Sequence, residues 1–411
     1  PLFAHSFLWV EWLMQALART PQGYTIYSFG SAAVALAVMF PAAFFAGMTL
    51  PLFTVALLRN GSGESSIGRV YALNTLGAIV GVFAMMHLLI PAIGIHLGLV
   101  LAAVVDVLLG LYLLRVVAAS VRRRAYLAVA VVAVVAVVAG LVWGRAKPEV
   151  QIAGVFRTGT TALDGLKKVA YLRDGKTSTI GVARFDEGFS TIATNGKPDA
   201  GLTDSLSQPP TADEITMVMA GALPLYLNPA ARDIAVIGWG SGLTVHTILG
   251  SDVPRRVEAI EIERTMHEGA RLFGQRVERA YSDPRLNVVF DDARTYFATR
   301  SRHYDVIVSE PSNPWVSGVA SLFTREFYGF ARRHLNPNGL LVQWLQAYEI
   351  DDRLLATMVS ALIETFPYVD AYIVNNSDML FVAGMAPPVH PDWTPLSTPS
   401  LQYELGRVGL K

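Results

Sequence analysis

The chain contains no cysteine. This excludes disulfides, cysteine-ligated metals and thiol nucleophiles, and it leaves the redox compartment open. It also lacks a charge of one sign: 33 lysines and arginines face 33 aspartates and glutamates, and charged residues are only 16% of the whole. Without a basic excess, nucleic acid is not an expected partner. The eight histidines are dispersed, so no metal is expected from ligand spacing, and no phosphate-cradling P-loop is present. An initiating methionine is missing too. The chain starts at Pro1, which leads to the expectation of a fragment or processed product with further membrane segments upstream.

Apolar residues are plentiful. They make up 52% of the 411 residues, the mean hydropathy is +0.40, and the excess sits in the first third. A chain of this length has room for two or three domains. Four stretches, 28–58, 67–90, 96–118 and 125–143, reach the roughly 20 residues that a bilayer crossing needs. A shorter one, 6–18, carries Glu11 and reads as a fifth span or an interfacial helix. Pro41, Gly47 and Pro51 predict a kink in the first long helix. Gly77 and Gly81 form a G-x-x-x-G pair suited to close helix packing. The polar groups within the spans, Glu11, Asn74, His87, His96 and Asp106, are scattered, which fits helix-end or locally paired groups better than a transport path. Repeated apolar segments do not fit a signal peptide. The lipid bilayer is therefore an expected partner.

Membrane orientation raises a conflict. Arg59 and Arg69 flank one loop and Arg115, Arg122, Arg123 and Arg124 fill another, whereas 91–95 carries no charge. The positive-inside rule puts the arginine loops in the cytoplasm and everything after Trp143 outside. An enzyme that uses an intracellular cofactor belongs on the other side. Both placements stand at this point.

After Arg145 the pattern changes. Residues 168–185 and 191–195 read as β-strands with turn signals at Asp174-Gly175 and Asn195-Gly196. Residues 211–227 read as a helix. Apolar runs then end near Gly238, Glu261, Phe290, Ser309 and Trp344, with helical patterns between them. Such alternation predicts a mainly parallel sheet with helices on both faces. Residues 371–383 read as a hairpin at the sheet edge, and the whole suits a methyltransferase-like Rossmann fold. The expected division is a membrane-helix region 1–145, a small β-domain 146–200, a Rossmann-like domain 201–390 and a tail 391–411.

The most informative stretch is Ile234-Ala-Val-Ile-Gly-Trp-Gly-Ser-Gly-Leu243. An apolar run leads into Gly238-x-Gly240-x-Gly242, and a second run ends on Glu261, nineteen residues after Gly242. Glycines let the backbone turn tightly and approach a nucleotide-type ligand, and an acid at the tip of the next strand accepts hydrogen bonds from a ribose. Asp291-Asp292 follow a third run, where Asp292 can equally cap a helix.

These residues resemble the spermidine synthase (polyamine aminopropyltransferase) family, and more closely its bacterial membrane-fused members. The resemblance rests on Gly68-Arg-Val-Tyr-Ala-Leu-Asn-Thr-Leu-Gly-Ala78, Asn195-Gly-Lys197, Leu223-Pro224, the glycine loop, Glu261, Asp291-Asp292-Ala293, Ser309-Glu-Pro-Ser-Asn-Pro314 and Ser321-Leu-Phe-Thr-Arg-Glu-Phe-Tyr328. It implies transfer of an aminopropyl group from decarboxylated S-adenosylmethionine to an amine acceptor, with release of methylthioadenosine, in a homodimer or as a subunit of a membrane complex. It assigns Gly238, Gly240, Ser241 and Gly242 to the cofactor loop, with Ser241 where the family has an acid. Glu261 matches the acid on the ribose, and Asp291 and Asp292 match the group that reads the adenine.

The chemical centre departs from the family pattern. Where the family has two aspartates, this chain has Glu310 and Asn313. Glu310 keeps a carboxylate and is the candidate proton acceptor. Asn313 loses a charge that would attract a cationic amine. The family's tyrosine ahead of Leu223-Pro224 is replaced near Thr216 or Met217, and its glutamine aligns with Asp199, a residue suited to replacing some of the lost charge or to a solvated loop. Trp239 and Trp315 flank the expected pocket, Ser317-Gly318-Val319-Ala320 reads as a loop able to close over it, and Tyr348, Glu349 and Asp351 are candidate substrate contacts. Two other readings remain: an S-adenosylmethionine-dependent methyltransferase, and a non-catalytic membrane scaffold or partner subunit on a degenerate spermidine synthase fold.

Overall fold

The computed structural model describes residues 1–117, 123–316, 318–388 and 390–410. Arg122 and Ser317, used in the orientation and loop arguments above, lie outside the described residues. The chain divides into two compact units.

The first unit is built from α1 (Leu2–Gln15), α2 (Pro21–Arg59), α3 (Ser65–Ala84), a π-helical turn (Met85–Leu89), α4 (Ile90–Val117), α5 (Arg123–Trp143) and two short helices, α6 (Pro148–Ile152) and α7 (Val155–Thr158). Three helical runs are long and apolar enough to cross a membrane: Pro21–Arg59, Ser65–Val116 and Arg123–Trp143. The Thr20 hydroxyl starts α2 by accepting the Gly23 N–H at 3.1 Å, and α2 then continues through Pro41 and Pro51 as one helix. The non-helical residue falls elsewhere. Gly94 takes φ 80, ψ 168 within α4, a conformation that glycine reaches at little steric cost. The expected stretch 67–90 and residues 96–116 of the next thus occupy one helical run with Gly94 between them. Among the described residues, no atom lies within 4 Å of a Cβ built on Gly77 or Gly81, so the expected close packing across this pair is not seen there. Glu11 is locally paired and accepts from the Thr161 amide and hydroxyl, each at 3.0 Å. Residues 173–179 and 195–197 also belong to this unit. There Asp174 accepts the Ile95 N–H at 2.8 Å and the Thr179 hydroxyl at 2.6 Å.

The second unit holds two sheets. A small four-stranded one runs in chain order through β1 (Leu166–Asp174), β2 (Thr179–Phe185), β3 (Phe189–Thr194) and β4 (Lys197–Thr203). The large sheet contains β5 (Asp233–Ile237), β6 (Arg256–Glu261), β7 (Leu286–Phe290), β8 (Tyr304–Ser309), β9 (Leu335–Gln346), β10 (Tyr368–Ile373) and β11 (Asp378–Gly384). Their spatial order is β10-β11-β9-β8-β5-β6-β7. The five strands β5 to β9 run parallel, and β11 returns antiparallel between β9 and β10. Helix α8 (Ala212–Leu227) leads into this sheet and opens with a capping box between Thr211 and Glu214. The remaining helices are α9 (Leu243–Ile248), α10 (Arg264–Ala270), α11 (Arg279–Ser282), α12 (Ala293–Thr299), α13 (Arg325–Arg333), α14 (Asp352–Thr365) and α15 (Pro399–Arg407).

Alternate residues of the central strands supply the two faces, because side chains alternate along a strand. Ile234, Val236, Val306, Val308, Leu340, Val342, Leu380 and Val382 pack with Val218, Leu225 and Leu243 of α8 and α9. Ala235, Ile237, Ile307, Leu341 and Phe381 pack with Tyr296, Phe327 and Leu362 of α12, α13 and α14 on the other side. Neighbours β6 and β8 flank β5 on either side. The chain order therefore reverses at β5, and the carboxyl ends of these strands open the crevice where doubly wound sheets bind ligands.

Candidate active site

Three strand ends carry the residues expected to meet a cofactor. At the tip of β5, Gly238 (φ 91), Gly240 (φ 53) and Gly242 (φ 86) are all left-handed. A Cβ at Gly238 would lie 2.3 Å from the Glu310 carbonyl oxygen, whereas one at Gly240 would meet nothing within 4 Å. Gly238 thus serves the close approach of two strand ends, and Gly240 leaves open space over the loop. Ser241 is fully buried. Its hydroxyl lies 3.0 Å from the Met217 sulfur and accepts the Leu243 N–H at 3.2 Å.

Glu261, at the tip of β6, is held by two backbone donors. Trp239 N–H reaches Oε2 and Glu263 N–H reaches Oε1, both at 2.8 Å. Burial, with Asp199 and Glu263 nearby, pushes its carboxyl up to about 7 against the pull of those donors. Each oxygen keeps a lone pair for a hydroxyl donor. Beyond the tip of β7, Asp291 Oδ1 accepts the Asp292 N–H at 2.9 Å. Asp292 Oδ1 caps α12 through the Thr295 N–H at 2.9 Å, leaving Oδ2 as the oxygen turned to other uses. The three adjacent strand ends, an open glycine loop and these acids fit an adenosine-type ligand.

The expected chemical centre lies just after β8. Glu310 is partly covered, and its Oε2 accepts the Thr244 hydroxyl at 2.6 Å. Burial raises its carboxyl to about 7, with the negative charges of Asp378 and Asp213 adding to the rise and the Thr244 bond opposing it. A carboxylate with that affinity is matched to taking a proton near neutral pH. Asn313 is fully buried; its Nδ2 lies 3.5 Å from the Tyr348 hydroxyl, and its Oδ1 has no hydrogen-bond partner among the described residues. Asp199 is drawn to this loop by the Ser312 hydroxyl at 2.7 Å.

The aromatic pair separates. Trp239 is buried among His267 and Tyr281 at ring distances of 4.5 and 5.5 Å, whereas Trp315 is 40% exposed. Glu349 is exposed in the loop after β9 with φ 56, and Asp351 caps α14 through the Leu354 N–H at 2.7 Å.

Other polar residues of the centre gave no signal in the sequence. Thr244 anchors Glu310 yet looks like an ordinary helix residue. Asp378, the first residue of β11, looks like a turn acid after Asn375-Asn376-Ser377. Its Oδ2 accepts from Thr216 at 2.7 Å and Asn375 at 3.2 Å, and its Oδ1 from the Trp344 indole at 2.9 Å.

Comparison with known proteins agrees with this fold. Residues 215–377 match the family model described as the spermine/spermidine synthase domain. The chain carries a region similar to the spermine/spermidine synthase domain. The family domain thus begins within α8 and ends one residue before Asp378. Polyamine aminopropyltransferase 1 of Pseudomonas aeruginosa is 34% identical over 141 residues, which are 34% of this chain and 49% of that protein. Polyamine aminopropyltransferase 2 of Streptomyces coelicolor is 27% identical over 307 residues, 72% of this chain and 52% of that one. A match of that length exceeds the stretch after Trp143 and so reaches into the apolar helices. The chain spans about half the length of the curated relatives it matches. A crystal structure of spermidine synthase in complex with the transition state analogue AdoDATO superposes with a TM-score of 0.51 at 18% identity, covering 60% of this chain and 86% of that one. This establishes a shared fold.

Proposed function

We propose that the protein is a membrane-anchored aminopropyltransferase that uses decarboxylated S-adenosylmethionine and an amine acceptor. The observation that carries the reading is Glu310: a carboxylate raised to about 7 and anchored by Thr244 at the strand end that adjoins the glycine loop. The co-substrate supplies a carbon activated by its sulfonium. Glu261 and Asp292 hold the adenosine end. Glu310 orients the acceptor amine. A nitrogen–carbon bond forms as the carbon–sulfur bond breaks, sulfur keeps the bonding pair to become the thioether of methylthioadenosine, and the proton leaving nitrogen goes to a Glu310 oxygen. No residue forms a covalent bond, so holding the two reactants in line and excluding water carry the catalysis. The three apolar helical runs supply the membrane anchor.

Thermal unfolding of the detergent-solubilised protein tests this. A ligand that binds only the folded state raises the melting temperature by mass action, by about 2.7 kcal/mol of stability at a hundred times its Kd. Decarboxylated S-adenosylmethionine and methylthioadenosine are expected to raise it, and S-adenosylmethionine much less. A shift with S-adenosylmethionine and its demethylated product instead would favour a methyltransferase. No shift with any of them at millimolar concentration would leave a non-catalytic membrane subunit.

A further inference from the structure

Glu310 is fixed at its backbone and steered at its side chain. Its N–H donates to the Ile237 carbonyl at 2.9 Å, which seats the residue beside the glycine loop. The side chain has one more rotatable bond than an aspartate. That freedom must be removed if the carboxylate is to meet a reactant in one geometry. Among the described residues, the side chain that holds it is Thr244, whose hydroxyl donates to Oε2 at 2.6 Å.

This hydroxyl has one proton and two acceptors within reach. The second is the Met217 carbonyl of α8, at 3.3 Å. The shorter contact has the length of a hydroxyl–carboxylate bond, and such bonds are about twice as strong as neutral ones. The ionised carboxylate therefore takes the proton. When Glu310 becomes neutral that advantage is lost, and the Met217 carbonyl competes for it. The bond occupies Oε2. Glu310 is only partly covered, and its Oε1 has no hydrogen-bond partner among the described residues.

Thr244 is 3% exposed and lies in the first turn of α9, so the seat of α9 on α8 decides where its hydroxyl stands. A Cβ at Gly221 would lie 2.9 Å from both the Thr244 carbonyl oxygen and Thr247 Cβ. The two helices thus approach at a point where a side chain does not fit without a shift. Met217 and Gly221 are one turn apart on α8. The face that admits α9 also supplies the second acceptor.

We infer that Thr244 is a positioning residue for the proton transfer: its hydroxyl holds Oε2, and the proton leaving the amine nitrogen goes to Oε1. The close seat of α9 at Gly221 sets this geometry. The inference deepens the aminopropyltransferase reading and rests on it. The same bond favours the ionised carboxylate and opposes the rise that burial imposes, so its removal leaves Glu310 protonated to higher pH.

The test compares Thr244→Val, which keeps the shape and loses the hydroxyl, with Thr244→Ser, which regains it. Rates are measured across pH with decarboxylated S-adenosylmethionine and 1,4-diaminobutane. For Thr244→Val, kcat at pH 7 is expected to fall at least about tenfold, the worth of a hydrogen bond to a charged group, with KM unchanged. The loss is expected to narrow toward pH 9, as the acid limb moves up by about one pH unit. Serine is expected to restore both. Gly221→Ala, which alters neither side chain, is expected to move the limb the same way, and it serves should the valine variant fold poorly. The infrared band of the protonated Glu310 carboxyl, identified by its loss in Glu310→Gln, gives a readout independent of turnover. Thr244→Val is expected to raise its frequency and its pH midpoint. An unmoved band, or a kcat loss equal at every pH that serine does not restore, makes Thr244 a packing residue and overturns the inference alone. A wild type whose band responds to Thr244 but that transfers no aminopropyl group brings down the aminopropyltransferase reading, and the inference with it.

Discussion

The proposed function places the proton transfer on one side chain, Glu310, and its surroundings make that role measurable in two ways. Glu310→Gln keeps the shape and the capacity to bond Thr244 but cannot take a proton. General-base contributions are typically 10²- to 10⁴-fold, so aminopropyl transfer at pH 8 is expected to fall by about that factor. In the wild type the rate is expected to drop as pH falls through about 7, where the carboxyl gains its proton. Stability moves the other way. A carboxyl raised in the folded state favours folding fully below its unfolded value and loses that contribution as pH rises through the folded value. Glu310→Gln is therefore expected to match the wild-type melting temperature near pH 4 and exceed it by a few degrees above pH 7. A variant that keeps wild-type turnover would remove Glu310 from the proton path.

At the scale of elements, α15 is held by buried charge. Glu404 lies 3.4 Å from both Arg276 and His246 and 3.6 Å from Arg279. Arg276 also lies 3.4 Å from Glu214, and Arg407 reaches Glu214 at 3.0 Å. Burial pushes the Glu404 carboxyl up, but the His246 bond and the Arg276 and Arg279 charges outweigh it and hold the group below its usual range. Burial lowers His246. Removing one member of such a group leaves its partners buried and uncompensated, at about 3–5 kcal/mol. Glu404→Ala is expected to lower the urea midpoint accordingly and to release α15 to proteolysis, whereas an unshifted midpoint would show the pairs to be energetically neutral.

The elements also explain what was legible in the sequence. The glycine loop, Glu261 and Asp291-Asp292 lie in contiguous stretches with a fixed spacing, so strand, turn and acid read together. The alternation of strands and helices after Asp233 gave the parallel sheet, and 371–383 gave the edge hairpin. Asp378 and Thr244 were not legible, because their meaning lies in partners far along the chain. Asp378 meets the Thr216 hydroxyl and the Trp344 indole only once β11 is set in register with β9, opposite Gln346. A one-residue slip in that pairing would turn it to the other face. Helix α2 continues through Pro41 and Pro51, since a proline costs one backbone bond that a long helix can forgo, whereas the break at Gly94, where φ is positive, had no signal in the sequence beyond the glycine itself.

At the scale of the whole molecule, the side of the membrane decides access to the co-substrate. The arginine count predicts that alkaline phosphatase fused at the carboxyl terminus is active, since that enzyme matures only outside the cytoplasm. A silent phosphatase with a bright fluorescent protein at the same position would overturn the count and put Glu310 on the side where adenosyl compounds are made.

The bond between Asp174 and the backbone beside Gly94 bears on how such a chain came to be assembled. Two parts joined end to end share one linker, and either can be deleted at that seam. Here the chain passes between its two units five times, because 173–179 and 195–197 pack with the apolar helices. Removing residues 1–145 would strip a loop of the small sheet of its partners and leave Asp174 without the Ile95 amide. Residues 173–179 and 195–197 go with the helices, so shedding the helices in descent would require compensating changes at those two segments.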